Sequence, residues 1–297
     1  MSVPGWPHPD VQVACCAARV GGDHLIGEAL DDAMTPASVM KVQVALTVLT
    51  DIHEGRLDGR ATVSLEPSSR TPGPVGMSLF DDPVRMSVRD LVVAMMTISD
   101  NVATDALIDL VGVETINATT HRLGLVSTHV AGRLGPMLDA MATEAGFGDY
   151  AHLVRHDPTV DGPPSEEEIR RAVAASSALD PHRGSRTTAA DMVRLLQALW
   201  TDAAAPAPVC ARLRRLMGQQ LTRDRIASGF GPGYAVAAKS GGLMGIVRNE
   251  VGVVTAPGGA SYAIAVFTRR PLTSTVHPAH IDTAIGGLAN ALVQQLG

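Results

Sequence analysis

Apolar positions in this chain recur at two periods, and the change from one to the other lays out its elements. Val11 to Arg19 and His24 to Gly27 read as short opening strands. Tyr234 to Ala238, Glu250 to Thr255 and Tyr262 to Thr268 read as closing strands, the last two joined by the turn Ala256-Pro257-Gly258-Gly259-Ala260. Between these ends the pattern is helical. Val39, Val42, Leu46 and Leu49 recur at about 3.6-residue spacing from Pro36, a residue that suits a first turn. Leu91 to Ile98 follows the capping box Ser87-x-x-Asp90, and a second helix runs through Ala106, Leu107 and Leu110 to a stop at Gly112. Thr188-x-x-Asp191 opens a helix to Trp200. Ile281, Ala284, Leu288, Leu292 and Leu296 make the apolar stripe of a last helix from His277. The stretch Gly132 to Gly184 is the least regular. Glu166 to Arg171 within it reads as a charged helix face.

This order predicts an α/β (α+β) fold with an antiparallel sheet flanked by helices. Residues 1–50 and 205–297 form an α/β lobe whose sheet is built from both chain ends and covered by the first and last helices. Residues 51–204 form an all-helical lobe with an extended loop region at 132–184. The two make a single compact unit whose cleft is the expected site.

Composition narrows the possible partners. With 297 residues, 45% of them hydrophobic, the chain can bury a substantial core. A formal charge of −6 argues against nucleic acid, and no run reaches membrane-spanning length. Arg212, Arg214 and Arg215 are the one dense basic cluster and read as a solvated helix face. Met1-Ser2-Val3-Pro4-Gly5-Trp6-Pro7 lacks the basic start and apolar stretch of a signal peptide, which leads us to expect a cytoplasmic protein. Three cysteines fit a reducing compartment, and the adjacent Cys15 and Cys16 should point to opposite faces of a strand. His152 and His156 have the i, i+4 spacing of a metal pair but no companion ligand pattern, so no metal and no cofactor are expected. Nothing in the sequence sets the oligomeric state.

Three short motifs carry the chemistry: Ser38-Val39-Met40-Lys41, Ser99-Asp100-Asn101 and Lys239-Ser240-Gly241. Each can arise by chance; all three in order point to one machine. A serine hydroxyl needs a base within hydrogen-bond reach, and on a helix a residue three positions on is a facing neighbour. Lys41, among apolar neighbours and near a second cation, would have a lowered pKa and could take that proton. Ser99-Asp100-Asn101 lies at a helix junction, where Asp100 should act as a cap while Ser99 and Asn101 carry chemistry. Lys239-Ser240-Gly241-Gly242 follows a strand, so that a strand edge could offer a cation and a backbone N–H to an oxyanion. Arg248 lies on the neighbouring strand and completes a carboxylate pocket, or is an ordinary strand-end charge.

With these motifs the chain resembles the class A β-lactamase-like and penicillin-binding-protein-like serine hydrolase superfamily over nearly its whole length. The strand–turn–strand opening, the step from Ser38 to Ser99, the segment Gln219-Gln220-Leu221-Thr222 and the run Arg186-Thr187-Thr188-Ala189-Ala190-Asp191 are similar to that family's. The resemblance implies Ser38 as nucleophile, Lys41 as its base and Ser99 as proton relay. Asn101 would hold the substrate amide and Lys41. Lys239, Ser240 and Arg248 would hold a substrate carboxylate or oxygen, and the N–H groups of Ser38 and Gly242 would form the oxyanion hole.

One departure matters. The family's Glu-x-x-Leu-Asn segment, whose glutamate activates the deacylating water, is absent, and the stretch between Ser99 and Lys239 is lengthened. Glu144 and the run Glu166-Glu167-Glu168 lie in that region. Loss of general-base help, typically worth about 10²–10⁴-fold, would let the acyl-enzyme persist until an amine or alcohol arrives. The expected activity is therefore a serine esterase, amidase or transacylase taking a small-molecule ester or amide donor, with an amine as possible acceptor. Its expected setting is small-molecule biosynthesis. A β-lactamase with a substitute base, or a binding protein acylated without turnover, are the alternatives.

Overall fold

The computed structural model describes residues 6–297. The opening segment 1–5, on which the expectation about a leader partly rests, lies outside the described residues. The chain starts with β1 (Gln12–Arg19) and β2 (Ile26–Glu28), then passes through a short 3₁₀ turn into α1 (Lys41–His53). A hairpin, β3 (Thr62–Leu65) and β4 (Val84–Ser87), leads to α2 (Val88–Thr97), α3 (Asn101–Val111) and α4 (Val113–Arg122). Four short helices follow: α5 (Leu134–Glu144), α6 (Tyr150–Arg155), α7 (Pro158–Asp161) and α8 (Glu166–Ala174). The chain returns through α9 (Ala189–Trp200) and α10 (Ala207–Gly218) to β5 (Ala235–Leu243), β6 (Val247–Thr255), β7 (Ser261–Arg269) and α11 (Pro278–Leu296).

The five-stranded sheet has the order β2-β1-β7-β6-β5 and is antiparallel throughout, with strands from both chain ends interleaved. Alternation sorts its side chains. Cys15, Ala17, Ile264 and Val266 face α11, whose Ile281, Ile285, Leu288 and Leu292 cover them. Ala14, Cys16, Ala18, Ala263, Ala265 and Phe267 face the other way, into the main core. Cys15 and Cys16 thus do point to opposite faces, and burial raises their thiol pKa values to about 11 and about 12. Small residues on the inner face of β1 let α9 lie close across β1 and β7.

The structure corrects the expected division of labour among helices. The inner face is covered chiefly by α9 and α10; α9 had been assigned to the helical lobe. The first helix, expected as a cover for the sheet, is buried from Lys41 to Asp51 and serves as an axle between α10 and the α2–α4 group. A helix buried on nearly all sides, its polar Gln43, Thr47 and Thr50 included, lies inside the domain rather than on its surface. The lobe expected to be all-helical also carries the β3–β4 hairpin. The region 132–184 forms α5–α8 rather than an extended loop. The region buries Leu138, Met141, Leu153 and Val173 from its helices, and Phe147 between α5 and α6, against Leu243, Ile246 and Val247 of the β5–β6 hairpin. No helix among the described residues is long and apolar enough to cross a membrane.

The last helix sits where it does because two backbones touch. A Cβ on Gly286 would lie 2.6 Å from the Arg225 carbonyl oxygen and 2.8 Å from the Gly229 nitrogen. One turn earlier on the same face, this close seating brings Asp282 to Arg225. Gly286→Ala should therefore cost about 1–3 kcal/mol of overpacking. Thermal unfolding followed by circular dichroism should show a lowered midpoint. For the adjacent Gly287, where an added methyl meets nothing within 4 Å, Ala should leave the midpoint unchanged or slightly raised.

Candidate active site

Ser38 lies on the 3₁₀ turn Ala37–Met40, immediately before α1, and is half-buried. Two devices hold the preceding backbone. Ala37 has φ +48°, a left-handed conformation that an L-residue keeps only when its surroundings enforce it. Asn249 of β6 supplies enforcement: its Nδ2 donates to the Thr35 carbonyl at 2.9 Å and the Pro36 carbonyl at 3.2 Å, while its Oδ1 accepts the Thr268 N–H at 3.0 Å. The turn is thus tied to β6 and β7 at once. Gly241 presses against it from β5. A Cβ there would meet the Pro36 carbonyl oxygen at 2.7 Å and the Ser38 nitrogen at 3.1 Å.

The Lys41 amine, fully buried, donates to the Ser99 carbonyl at 2.7 Å, the Ser99 hydroxyl at 3.2 Å and Asn101 Oδ1 at 2.8 Å. Asn101 Nδ2 donates to the Pro72 carbonyl at 2.9 Å, which fixes which end of the amide faces Lys41. Lys239, equally buried, donates to the same Ser99 hydroxyl at 3.1 Å and to the Ser240 carbonyl at 2.8 Å. Both lone pairs of the Ser99 oxygen thus face amines, leaving its proton free to turn toward the cleft. Ser99 itself has φ +61°. Asp100 braces that strained residue, accepting from the Ala103 N–H at 2.8 Å and the Met77 N–H at 2.7 Å as the cap of α3.

Two ammonium groups cannot share a dry pocket cheaply. Burial, and then the charge of Lys239, pull the Lys41 pKa well below the usual lysine value, against the weaker opposing fields of Asp100 and Asp105. Burial brings Lys239 down to about 7, opposed by Glu250 and reinforced by Arg225. Glu250 is itself buried, and burial raises its pKa. It accepts from Gln220 Nε2 at 3.0 Å and the Ile226 N–H at 2.6 Å. Gln220 Oε1 in turn accepts the Ser240 N–H at 2.5 Å.

All eight sequence-predicted residues lie on three adjoining pieces of backbone: the turn into α1, the α2–α3 junction and the β5–β6 hairpin. The Ser38 hydroxyl makes no hydrogen bond among the described residues, and Lys41 faces Ser99 and Asn101 instead. Gly242, on the outer strand of the sheet, is exposed and pairs with Arg248. The Arg248 guanidinium is ion-paired to Asp282, its Nε lying 2.8 Å from Oδ1. Arg225, buried, reaches the same Oδ1 at 2.7 Å and donates to the carbonyls of Gly241 and Asn249. Two cations on one carboxylate leave a net positive charge beside Gly242. Arg225, Asn249, Glu250 and Asp282 were not singled out from the sequence. Only Asp282 carried a usable signal, a carboxylate on the buried face of a helix at i, i+3 from Ile285.

Of the glutamates in the 132–184 region, Glu144, Glu167 and Glu168 have local partners. Glu144 is held by Ser176 Oγ at 2.5 Å and the Ser177 N–H at 2.8 Å, bonds that lower its pKa. Glu168 closes the capping box on Ser165, and Glu167 pairs with Arg171 at 2.9 Å. Asp105 accepts from Thr71, Leu134 and Gly135. His152 and His156 pack edge-on to Phe147, with centroids at 5.2 and 5.1 Å, and no group of three or more His, Cys, Asp or Glu among the described residues could hold a metal.

Comparison with known proteins places this geometry. A family model described as the beta-lactamase enzyme family matches residues 9–296. The chain is 30% identical over 260 residues to the beta-lactamase regulatory protein BlaB of Streptomyces cacaoi, covering 84% of this chain and 81% of that one. The beta-lactamase of Sphaerobacter thermophilus superposes with a TM-score of 0.73 at 24% identity, over 97% of this chain and 91% of its own. A mutant of PBP-A, solved as an acyl-enzyme complex with penicillin G, gives a TM-score of 0.73 at 18% identity, over 97% and 92%. At such identities the two solved structures speak for the fold, while the match along almost the full length of the chain decides the lineage: the protein belongs to the β-lactamase enzyme family.

Proposed function

We propose that the protein is a serine acyl-enzyme catalyst that loads an ester or amide donor onto Ser38 and passes the acyl group to an amine or to water. The observation that carries this reading is the pair of buried amines converging on the Ser99 hydroxyl. In the proposed first step neutral Lys41 takes the Ser38 proton, Oγ bonds to the donor's carbonyl carbon, and the bond to the leaving group breaks. The leaving group takes its proton from Ser99, which is resupplied by the protonated lysine. The Ser240 N–H points off the free edge of β5 to Gln220. The Gly242 N–H, two residues on, leaves the same edge, which supports its pairing with the Ser38 N–H around an oxyanion. Asn101, Lys239, Ser240 and Arg248 then hold the rest of the donor, Arg248 through the positive charge left beside Gly242.

Slow hydrolysis is part of the proposal, supported by the local partners that occupy Glu144, Glu167 and Glu168, three of the four glutamates of the 132–184 region. A second reading, acylation without turnover, draws support from one observation: the relative from Streptomyces cacaoi is named as a regulatory protein.

Intact-mass measurements over time with penicillin G and a simple ester, with and without an added amine, separate these readings. Transfer to the amine is the expected result. A permanent adduct in its presence would establish the second reading, and rapid return to free protein with penicillin alone would make the chain an efficient β-lactamase. Ser38→Ala should give no adduct, and Lys41→Ala should slow acylation by about 10²–10⁴-fold with the fold intact.

The acylation rate should rise with pH as Lys41 loses its proton, with a midpoint well below the ordinary lysine value of 10.5. Lys239→Ala removes a neighbouring positive charge, favours protonated Lys41, and should move that midpoint upward. Stopped-flow acylation across pH checks both, and an unmoved midpoint would rule out the coupling.

A further inference from the structure

The α5–α8 region brings a feature that the reaction above does not use. A cavity of about 500 Å³ opens between α6, α8, the β5–β6 turn and the start of α11. Leu153, Ile169, Val173 and Ile246 line it and belong to the apolar cluster that also packs against Ala37, the residue before Ser38. Arg170 and Arg270 share this lining, and neither pairs with a carboxylate among the described residues. Arg270 Nη1 donates to the Val276 carbonyl at 2.9 Å, but its Nε is buried with no partner. Glu166 also lines the space, one negative charge against two positive. His156 is committed to the Pro164 carbonyl at 2.9 Å.

The direction of the bound donor follows from the proposed acylation, on which this inference rests. The leaving group lies by Ser99, toward the Lys239 end of β5. The other substituent of the acyl carbon must then run past Gly242 toward Met244, which lines the cavity. Met244 is the first residue of the turn after β5, two positions beyond Gly242. We propose that this cavity receives the side chain of the acyl donor, and that Arg170 and Arg270 select an aliphatic arm ending in a carboxylate. The apolar wall covers the methylenes and the two guanidiniums take the charged end.

Two p-nitrophenyl esters with eight-carbon acyl chains test this, the acid-ended hydrogen suberate and the neutral octanoate. In each, acylation forms the Ser38 Oγ–carbon bond and releases p-nitrophenolate, which is read by its colour. The suberate ester should react about tenfold faster, the equivalent of one good charge contact. Arg170→Gln and Arg270→Gln should each reduce that ratio several-fold. Arg170 is exposed, so its variant keeps the fold. Equal rates in the wild-type protein, or a ratio unmoved in both variants, would overturn the proposal. Calorimetry with free suberate on the Ser38→Ala protein separates this result from the acylation itself. Binding that weakens when Arg170→Gln is added supports the cavity even if no ester acylates Ser38. Binding that is absent, or indifferent to Arg170, sinks it even if Ser38 reacts.

Discussion

A single hydroxyl shared by two buried amines sets the terms for everything around it. Ser99 accepts from Lys41 and Lys239, and both amines lie out of reach of water. Burying one ammonium costs several kcal/mol, and burying two side by side adds their repulsion. The pocket responds by making at least one amine readily deprotonated, which is the property a base needs. Glu250 and the carbonyls of Ser99 and Ser240 keep the arrangement from failing outright. Beyond burial, the charge of Lys239 lowers the Lys41 pKa, so the state of one amine bears on the other.

The scaffold around this hydroxyl is stiff where strain is stored. Ser99 and Ala37 both hold left-handed backbone without being glycine, which costs on the order of 1–3 kcal/mol each. Asp100 and Lys41 clamp the first, Asn249 and the bare face of Gly241 the second. The burial of α1 on almost every side lets Lys41 point into a dry pocket at all. Farther out, Thr35 Oγ1 donates to the Leu179 carbonyl and Arg269 donates to the Leu179 and Ala174 carbonyls. These bonds fasten the α5–α8 region to the turn that carries Ser38.

Much of this is legible in the amino-acid sequence itself. Ser87, Thr188 and Asp100 cap helices as their spacing implied, each accepting from the backbone three residues on. The strands at both ends were legible from their alternation. What escaped were long-range commitments. Nothing local to Arg225 says that it will meet Asp282 across 57 positions, or that Asn249 will reach back to Thr35. Arg248 looked free because its partner lies on the last helix. The apolar run that reads as a strand stops at Ala238, yet the ladder to β6 carries β5 through Leu243. Most of the α5–α8 region escaped because its core depends on the distant β5–β6 turn; only the charged face of α8 was legible.

The strand order leaves the sheet two margins of unequal length. One, β2, has three residues, too short to recruit another chain; the other, β5, has nine. A long unpaired margin normally invites association with a stranger. Here Gln220 plugs one outward amide of β5 with its side chain, and the ammonium of Lys239 covers the adjoining carbonyl. These contacts interrupt the open edge at Ser240, close to the turn that carries Ser38. A second strand laid along β5 would have to displace both side chains before it could pair there.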